Sequence, residues 1–346
     1  MTVFVLALAS ILVMDFSYRM RFDTRTSRAY CESIQAEYIL KSTLNFARLL
    51  LELPKLDGIN EDWLGEPWAL IGSAPTLPIS DFQGNTRLII VDEEGKIDIN
   101  SIADPPTPNP NPHGGSLVEA TNPQAQEKAN PLQESSLFWK NSVREIFIAA
   151  GFLSESYDPE QYRTPGNLAY EAGQQVAIIH DWIDPDDTSY SNISFDGEGI
   201  ESSSNSDMFF DRPLKSLTEL QLVPGMTAER VRRIAPFIRV SDQPSAIIRR
   251  INVNTAPYEV LIAVGFSESQ AAELAQQRLN LPITKDILYP LVLGDPLLAK
   301  HTKVTSSEFS VISRVAMPNV TKWLHAIVSV HGTQQRGTRV KSVKYY

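Results

Sequence analysis

Apolar positions follow three regimes along this chain. From Met1 to Met14 (MTVFVLALASILVM) they are nearly continuous, with no charge and only Thr2 and Ser10 as polar side chains, until Asp15, Arg19, Arg21 and Asp23 end the run. From Phe16 to Leu51 they recur at three- and four-residue spacing (Phe16, Met20, Phe22, Ala29, Tyr30, Ile34, Tyr38, Leu40, Leu44, Ala47, Leu51), with no Pro or Gly before Pro54 and Gly58. Together these predict one helix of about fifty residues, ~75 Å long at 1.5 Å per residue. The uncharged part covers only ~21 Å against ~30 Å of bilayer hydrocarbon, short for a full span. A secretory signal peptide does not fit, because a basic leading region and a small-residue cleavage site are missing and the helical pattern continues. A helix this long outgrows any small domain. Its first part calls for lipid or other subunits, and its second part supplies an apolar face for a sheet to cover.

The third regime is alternation. Thr86 to Asp92 (TRLIIVD), Asp92-Glu93-Glu94-Gly95 and Lys96 to Ile99 (KIDI) read as a hairpin with Gly95 at the permissive turn position. Near the end, Phe309, Val311, Val315 and Met317 share one parity, Leu324, Ala326, Val328 and Val330 share another, and a turn from Gly332 to Gly337 leads to Val340 and Val343. The economical arrangement is an α+β fold: one antiparallel sheet on the long helix, split in sequence by an insertion that forms its own all-α domain. The expected boundaries are 1–52 for the helix (1–14 its membrane part), 53–100 for the first part of the α/β domain, 101–300 for the insertion and 301–346 for the closing strands. Ser101 to Pro131, with seven prolines, is the entry loop. Inside the insertion, Leu137, Phe138, Ile146 and Phe147 predict one helix, Val176 to Trp182 another and Leu217 to Val223 a third. Two helical hairpins follow: Leu217 to Phe237 turns at Pro224-Gly225 with Thr227 as N-cap. Ile251 to Leu279 has Thr255 capping, Pro257 in the first turn, Gly265 ending one helix and Ser267 opening the next.

Charge sharpens this picture. Lys and Arg number 31 against 41 Asp and Glu, and the whole net charge of −10 sits between Glu171 and Asp211, where ten carboxylates meet no Lys or Arg. Such crowding raises carboxylate pKa values unless the segment is well solvated or holds a cation. General affinity for phosphate backbones is not expected. The single cysteine, Cys31, excludes an internal disulfide.

Several motifs then fall in a fixed order: the uncharged start of the long helix, IIVDEEGKIDINSI, HDWIDPDD from His180 to Asp187 with GIES at Gly199, SLTELQLVPGMT, INVNTAPYEVLIAV and TSSEFSVISRV. The chain resembles, over nearly its whole length, the minor pseudopilins known as protein K of the type II secretion system. The resemblance implies a pilin-like long helix and sheet interrupted by a sterile-alpha-motif-like (SAM-like) helical domain with helix-hairpin-helix character. It implies a subunit at the tip of the periplasmic pseudopilus, with minor pseudopilins I and J and with H alongside, anchored in the bacterial inner membrane. It also implies processing by a prepilin peptidase of a leader ending in Gly. Nothing like that leader precedes Thr2, so an upstream extension of about 5 to 15 residues is expected, which would complete a full span. The first Glu is Glu32, and the family characteristically lacks the carboxylate that other pilin-like subunits carry near the start of the mature helix.

Asp184, Asp186, Asp187, Glu198, Glu201 and Asp207 offer hard oxygen ligands on loops, suited to Ca²⁺ and without EF-hand spacing. The resemblance implies calcium here, although Ser202, Ser203 and Ser204 replace an acidic run of the family; a solvated acidic loop is the plainer reading. The hairpins and Arg230, Arg232, Arg233, Arg239, Arg249 and Arg250 invite a DNA-binding reading, as a competence-type receptor or helix-hairpin-helix minor pilin. The second hairpin opposes it by setting Glu268 where phosphate would sit. A type IV pilus minor pilin is the other rival. His113, His180, His301, His325 and His331 show no metal-ligand spacing, and no nucleophile motif or phosphate-cradling loop appears, so no enzyme is expected. Cys31, Trp139, Trp182 and Trp323 read as packed side chains, and assembly is expected to rest on Phe16, Met20, Phe22, Ile34 and Tyr38.

Overall fold

A computed structural model describes residues 1–55, 59–79, 82–104, 131–152, 170–186, 188–191, 197–202, 208–241, 249–332 and 336–346, the side chains of 131 and 132 apart. The chain divides into two compact units. The first is Met1–Asn60, Leu64–Asp92 and Ser306–Tyr346; the second is Glu61–Trp63 and Glu93–Thr305.

In the first unit α1 runs unbroken over Thr2–Glu52. Its sheet-facing side is Glu32, Ala36, Leu40, Thr43, Leu44, Ala47 and Leu51, the rows a 3.6-residue period brings to one face. The sheet has the order β1 (Asn85–Asp92), β6 (Glu308–Ala316), β7 (Thr321–His331), β8 (Gly337–Tyr345), with every pairing antiparallel. Leu88, Ile90, Phe309, Val311, Val315, Leu324, Ala326, Val328 and Val330 alternate inward onto α1, and each Leu, Ile, Val or Phe among them is worth ~1.5–3 kcal/mol of apolar burial. Trp68 of α2 (Pro67–Leu70) closes this core edge-on against Phe309, with ring centroids 5.0 Å apart.

Three polar contacts fix the register of α1 on the sheet. Glu32 accepts from the backbone N–H (2.9 Å) and the side-chain amide (2.8 Å) of Asn319. Thr43 donates to Ser313 Oγ at 2.8 Å, and Glu52 accepts from Thr338 N at 2.9 Å and Oγ1 at 2.5 Å. Two expected burials fail here: Cys31 and Trp323 are exposed, because each sits one position from a core-facing residue, Glu32 and Leu324.

In the second unit the described elements are β2 (Ile97–Asp98), α3 (Pro131–Ala149), α4 (Ala172–Ile183), α5 (Ala228–Ile234), β3 (Ile238–Arg239), β4 (Ile251–Asn252), α6 (Tyr258–Ala263), α7 (Glu268–Gln277), α8 (Lys285–Val292), α9 (Pro296–His301) and β5 (Thr302–Lys303). The expected hairpin of TRLIIVD with KIDI does not form. β1 pairs with β6, whereas β2 pairs in parallel with β3, and Glu93–Ile102 belongs to the second unit. The reason is non-local: Ile97, Ile99 and Ile102 are wholly buried in the second unit's core beside Trp139, Val143 and Ile146 of α3.

Leu217–Leu222 is a 3₁₀ helix, and Thr227 caps α5 by accepting from Arg230 N. Ser267 opens α7 with a reciprocal capping box to Gln270. Thr255 does not cap: α6 begins at Tyr258 after Pro257, and the Thr255 hydroxyl donates to Asn252 O instead.

Candidate functional site

Two features stand out, one in each unit. On α1 the side away from the sheet is apolar too. Tyr30, Ile34, Tyr38, Phe46 and Leu49 are exposed along successive turns, and Phe16, Met20 and Phe22 are exposed below them. All five residues expected to carry assembly therefore face outward. The helix is long and apolar enough near its start to cross a membrane. Among the described residues this outward set stays largely in solvent, the mark of a helix face open to a further partner.

The second feature is a buried charge network on α4. His180 and Asp184 lie one turn apart and Asp181 between them. Asp181, wholly buried, accepts the backbone N–H groups of Tyr190 (2.8 Å), Ile200 (2.7 Å) and Glu201 (2.9 Å), so it folds the loop of GIES back onto α4. Gly199 is required there, since a Cβ would stand 2.0 Å from Asp181 Oδ2. His180 Nε2 lies 3.2 Å from Asp104 Oδ2, and its ring stacks at a tilt on Tyr190. Asp104 also takes Lys140 Nζ at 3.1 Å on both oxygens and Ser136 Oγ at 2.6 Å. Burial acts to raise the Asp104 carboxyl, but the His180 hydrogen bond, the Lys140 charge and the Ser136 hydroxyl hold it well below the usual range. For His180, burial opposes the charged ring, yet bonds to Asp104 and Asp181 raise it above its ordinary value.

Asp184 Oδ2 is 3.2 Å from His180 Nδ1, whose N–H is not aligned for a hydrogen bond, so the contact is one of charge. Its other oxygen, Oδ1, is buried without a donor among the described residues. Burial pushes this carboxyl up to about 7; His180 opposes the shift, while Asp186, Asp181 and Glu201 add to it. An anion held this way fits a hard divalent cation, which would supply the missing positive charge.

Of the six sequence-predicted ligands, Asp184 and Glu201 are buried, and the charges of Asp186 and Glu201 act on Asp184. Asp186 is exposed and caps its own turn by accepting from Thr188 N at 2.9 Å. Glu198 is exposed on a bridge to Ser191. Asp187 and Asp207 lie outside the described residues, as does His113. Among the described residues no three His, Cys, Asp or Glu side chains converge as a metal site. Asp104, Lys140 and Asp181 were absent from the sequence-based set. The His180–Asp184 spacing was the available signal, but Asp104 and Lys140 join it only through folding.

The first helical hairpin faces inward. At Gly225 (φ +84°) a Cβ would come within 2.4 Å of Gln175 Oε1 and of the Tyr170 ring. Arg230 donates to Gln175 Oε1, Gly225 O and Tyr170 O, and lies over the Phe152 ring. The turn that would approach a phosphate thus packs on α4, and its arginine is engaged. His301 is buried, stacked on Phe138 at 4.5 Å with Nδ1 2.9 Å from Arg249 O, the arrangement of a packed core histidine.

Comparisons with known proteins agree with this architecture. Residues 163–243, which include α4, the acidic loop and the first hairpin, match the family described as type II secretion system (T2SS), protein K. A chain of the crystal structure of the GspK-GspI-GspJ complex from the enterotoxigenic Escherichia coli type 2 secretion system is similar in fold. The TM-score is 0.52 at 16% identity, over 95% of this chain and 99% of that one. No curated protein matches in sequence. The family match thus falls on α4, the acidic loop and the first hairpin, and the likeness in fold, over 95% of this chain, is to a chain of the GspK-GspI-GspJ complex.

Proposed function

We propose that this chain ends the pseudopilus at its tip and helps start its assembly, as a structural subunit without catalysis of its own. The observation that carries this reading is the second apolar face of α1. A helix already docked on its own sheet retains Tyr30, Ile34, Tyr38, Phe46 and Leu49 in solvent, which fits packing against α1-type helices of neighbouring subunits. The partners on this reading are minor pseudopilins I and J, with H next. The complex of the structural relative, in which GspK stands with GspI and GspJ, supports the first two. Before assembly the start of α1 rests in the inner membrane, after processing by a prepilin peptidase, with the bulk of the chain in the periplasm. On this reading the inserted unit is SAM-like and its bulk is what caps the fibre.

The test is co-purification of the chain with I and J. Ile34→Asp and Tyr38→Asp, both at exposed positions, should abolish capture while thermal stability stays unchanged, because burying an unpaired charge in a helix interface is prohibitive. Retained capture by both variants would refute the helix-face reading.

The acidic loop of the second unit holds calcium on this reading, with Asp184 and Glu201 as inner ligands, Asp186 and Glu198 at the rim, and Asp187 and Asp207 completing the set. The support is the buried Oδ1 of Asp184, which has no donor among the described residues. The ion would neutralise clustered carboxylates and fix the loop. Calorimetric titration with Ca²⁺, with and without Asp184→Ala and Asp187→Ala, decides. No binding at millimolar calcium would end the proposal.

A further inference from the structure

On the outer face of the first unit's sheet, away from α1, a single cross-strand row runs across all four strands. Arg87 on β1 is opposite Arg314 on β6, Arg314 is opposite Trp323 on β7, and Trp323 exchanges both backbone hydrogen bonds with Tyr346 at the chain end, N to O at 3.0 Å each way. Every member is exposed, Trp323 by 44% and Tyr346 by 68%. Lys344, opposite His325 in the next row, adds another positive charge.

Two properties of this row are unfavourable for an isolated subunit. Like charges directly opposite in an antiparallel pair repel. Yet Arg87 and Arg314 are cross-strand neighbours, and among the described residues neither is within ion-pair distance of an acid; Arg314 instead lies over the Trp323 ring, 5.4 Å from its centroid. In addition, a Trp and a Tyr stand in water in a chain whose net charge of −10 makes this row a positive island. Trp, Tyr and Arg are the residue types that dominate binding hot spots.

We infer that the Arg87–Arg314–Trp323–Tyr346 row is a docking surface for an acidic segment of another protein subunit, with carboxylates between the two guanidinium groups and an apolar or aromatic side chain on Trp323. Four strands at ~4.8 Å spacing make the row about 14 Å wide, enough for a four- or five-residue stretch of extended chain. Arg forks pair carboxylates in a planar, two-toothed geometry, so neighbouring forks favour consecutive or alternate acids. Lipid headgroups share the anionic chemistry but are out of reach. The β6–β7 turn beside this row is tied to Glu32 of α1, and Lys322 to Glu37. Glu32 is eighteen residues past Met14, where the apolar run ends. That places the row ~27 Å up the helix, beyond a headgroup layer of roughly 5–8 Å.

The test uses the full-length chain in detergent and a fluorescein-labelled octaglutamate peptide, with binding read by fluorescence anisotropy and tryptophan fluorescence against a Trp323→Phe reference reporting on contact with the row. The expected result is saturable, salt-sensitive binding that weakens about thirtyfold in Arg87→Glu/Arg314→Glu and about tenfold in Trp323→Ala. Thermal stability of Arg87→Ala should be equal to or above that of the wild type, since it relieves a like-charge pair; a purely structural row would lose stability instead. Absence of peptide binding, or binding unaltered by the double charge reversal, overturns the inference. So does quenching of the Trp323 signal by brominated acyl chains after reconstitution into phosphatidylglycerol vesicles, which would assign the row to lipid.

Discussion

Replacing Asp181 by Asn is the most searching single test of the α4 network. The wild-type carboxylate has no exposed surface and serves three backbone N–H groups, from Tyr190 on one oxygen and from Ile200 and Glu201 on the other. Asparagine has almost the same shape but one accepting oxygen. If that oxygen faces Ile200 and Glu201, the amide group turns its own hydrogens toward Tyr190 N and orphans it; the opposite rotamer orphans two donors. Hydrogen bonds to a charged acceptor are worth ~1.5–3 kcal/mol each and a stranded buried donor costs ~1–3 kcal/mol, so the loop should lose about 2–4 kcal/mol. At ~1.4 kcal/mol per factor of ten, that is ~30- to 1,000-fold more frequent local opening. Hydrogen exchange read by mass spectrometry on the full-length chain measures it directly in peptides containing Tyr190, Ile200 and Glu201. Asp186→Asn, at an exposed turn, is the control and should change exchange by less than ~0.5 kcal/mol. Protection in Asp181→Asn within threefold of wild type would refute the claim that this carboxylate holds the loop.

Other substitutions probe the surrounding framework. Asp104→Asn leaves the buried Lys140 and His180 without their shared counter-charge and should cost about 1–3 kcal/mol at neutral pH, less than a fully buried pair because the Asp104 side chain is 44% exposed, seen as a lower melting temperature. Because the folded carboxyl of Asp104 lies below its ordinary value of 3.8, its contribution is complete above that pH and is lost as pH falls through the folded value. The difference between wild type and Asp104→Asn should therefore shrink below about pH 4, and shrink again as pH rises through the raised folded value of His180, whose charged ring Asp104 stabilises. Glu32→Ala removes both acceptors of Asn319 and should lower stability of the first unit by about 1.5–3 kcal/mol in denaturant unfolding, without altering the second. Gly225→Ala should be more damaging than Gly265→Ala in thermal melts. Both force a side chain to positive φ, at ~1–2 kcal/mol, but only Gly225 also meets Gln175 and Tyr170, whereas Gly265 faces open space.

Local signals in the sequence determined the long helix, the parity of the closing strands, the turn glycines Gly225 and Gly265, and the caps Thr227 and Ser267, because each depends on neighbours within one or two turns. They also placed the acidic window and the outward set on α1. What they could not settle was partner choice. The alternation in TRLIIVD and KIDI is the same whether the two pair together or separately, and only burial of Ile97 and Ile99 in the second unit's core sends β2 to β3. Thr255 has a capping residue's chemistry, but its hydroxyl finds Asn252 O. Trp323 has a core residue's composition, and register alone turns it outward into line with two arginines. The charge network is the extreme case: Asp104, Lys140, His180 and Asp181 come from three separate stretches, and nothing in the spacing of any one foretells the others. Periodicity along a chain fixes which side of an element is apolar, whereas the identity of whatever covers that side is set by contacts between residues distant in sequence, and these exist only once the tertiary structure has formed.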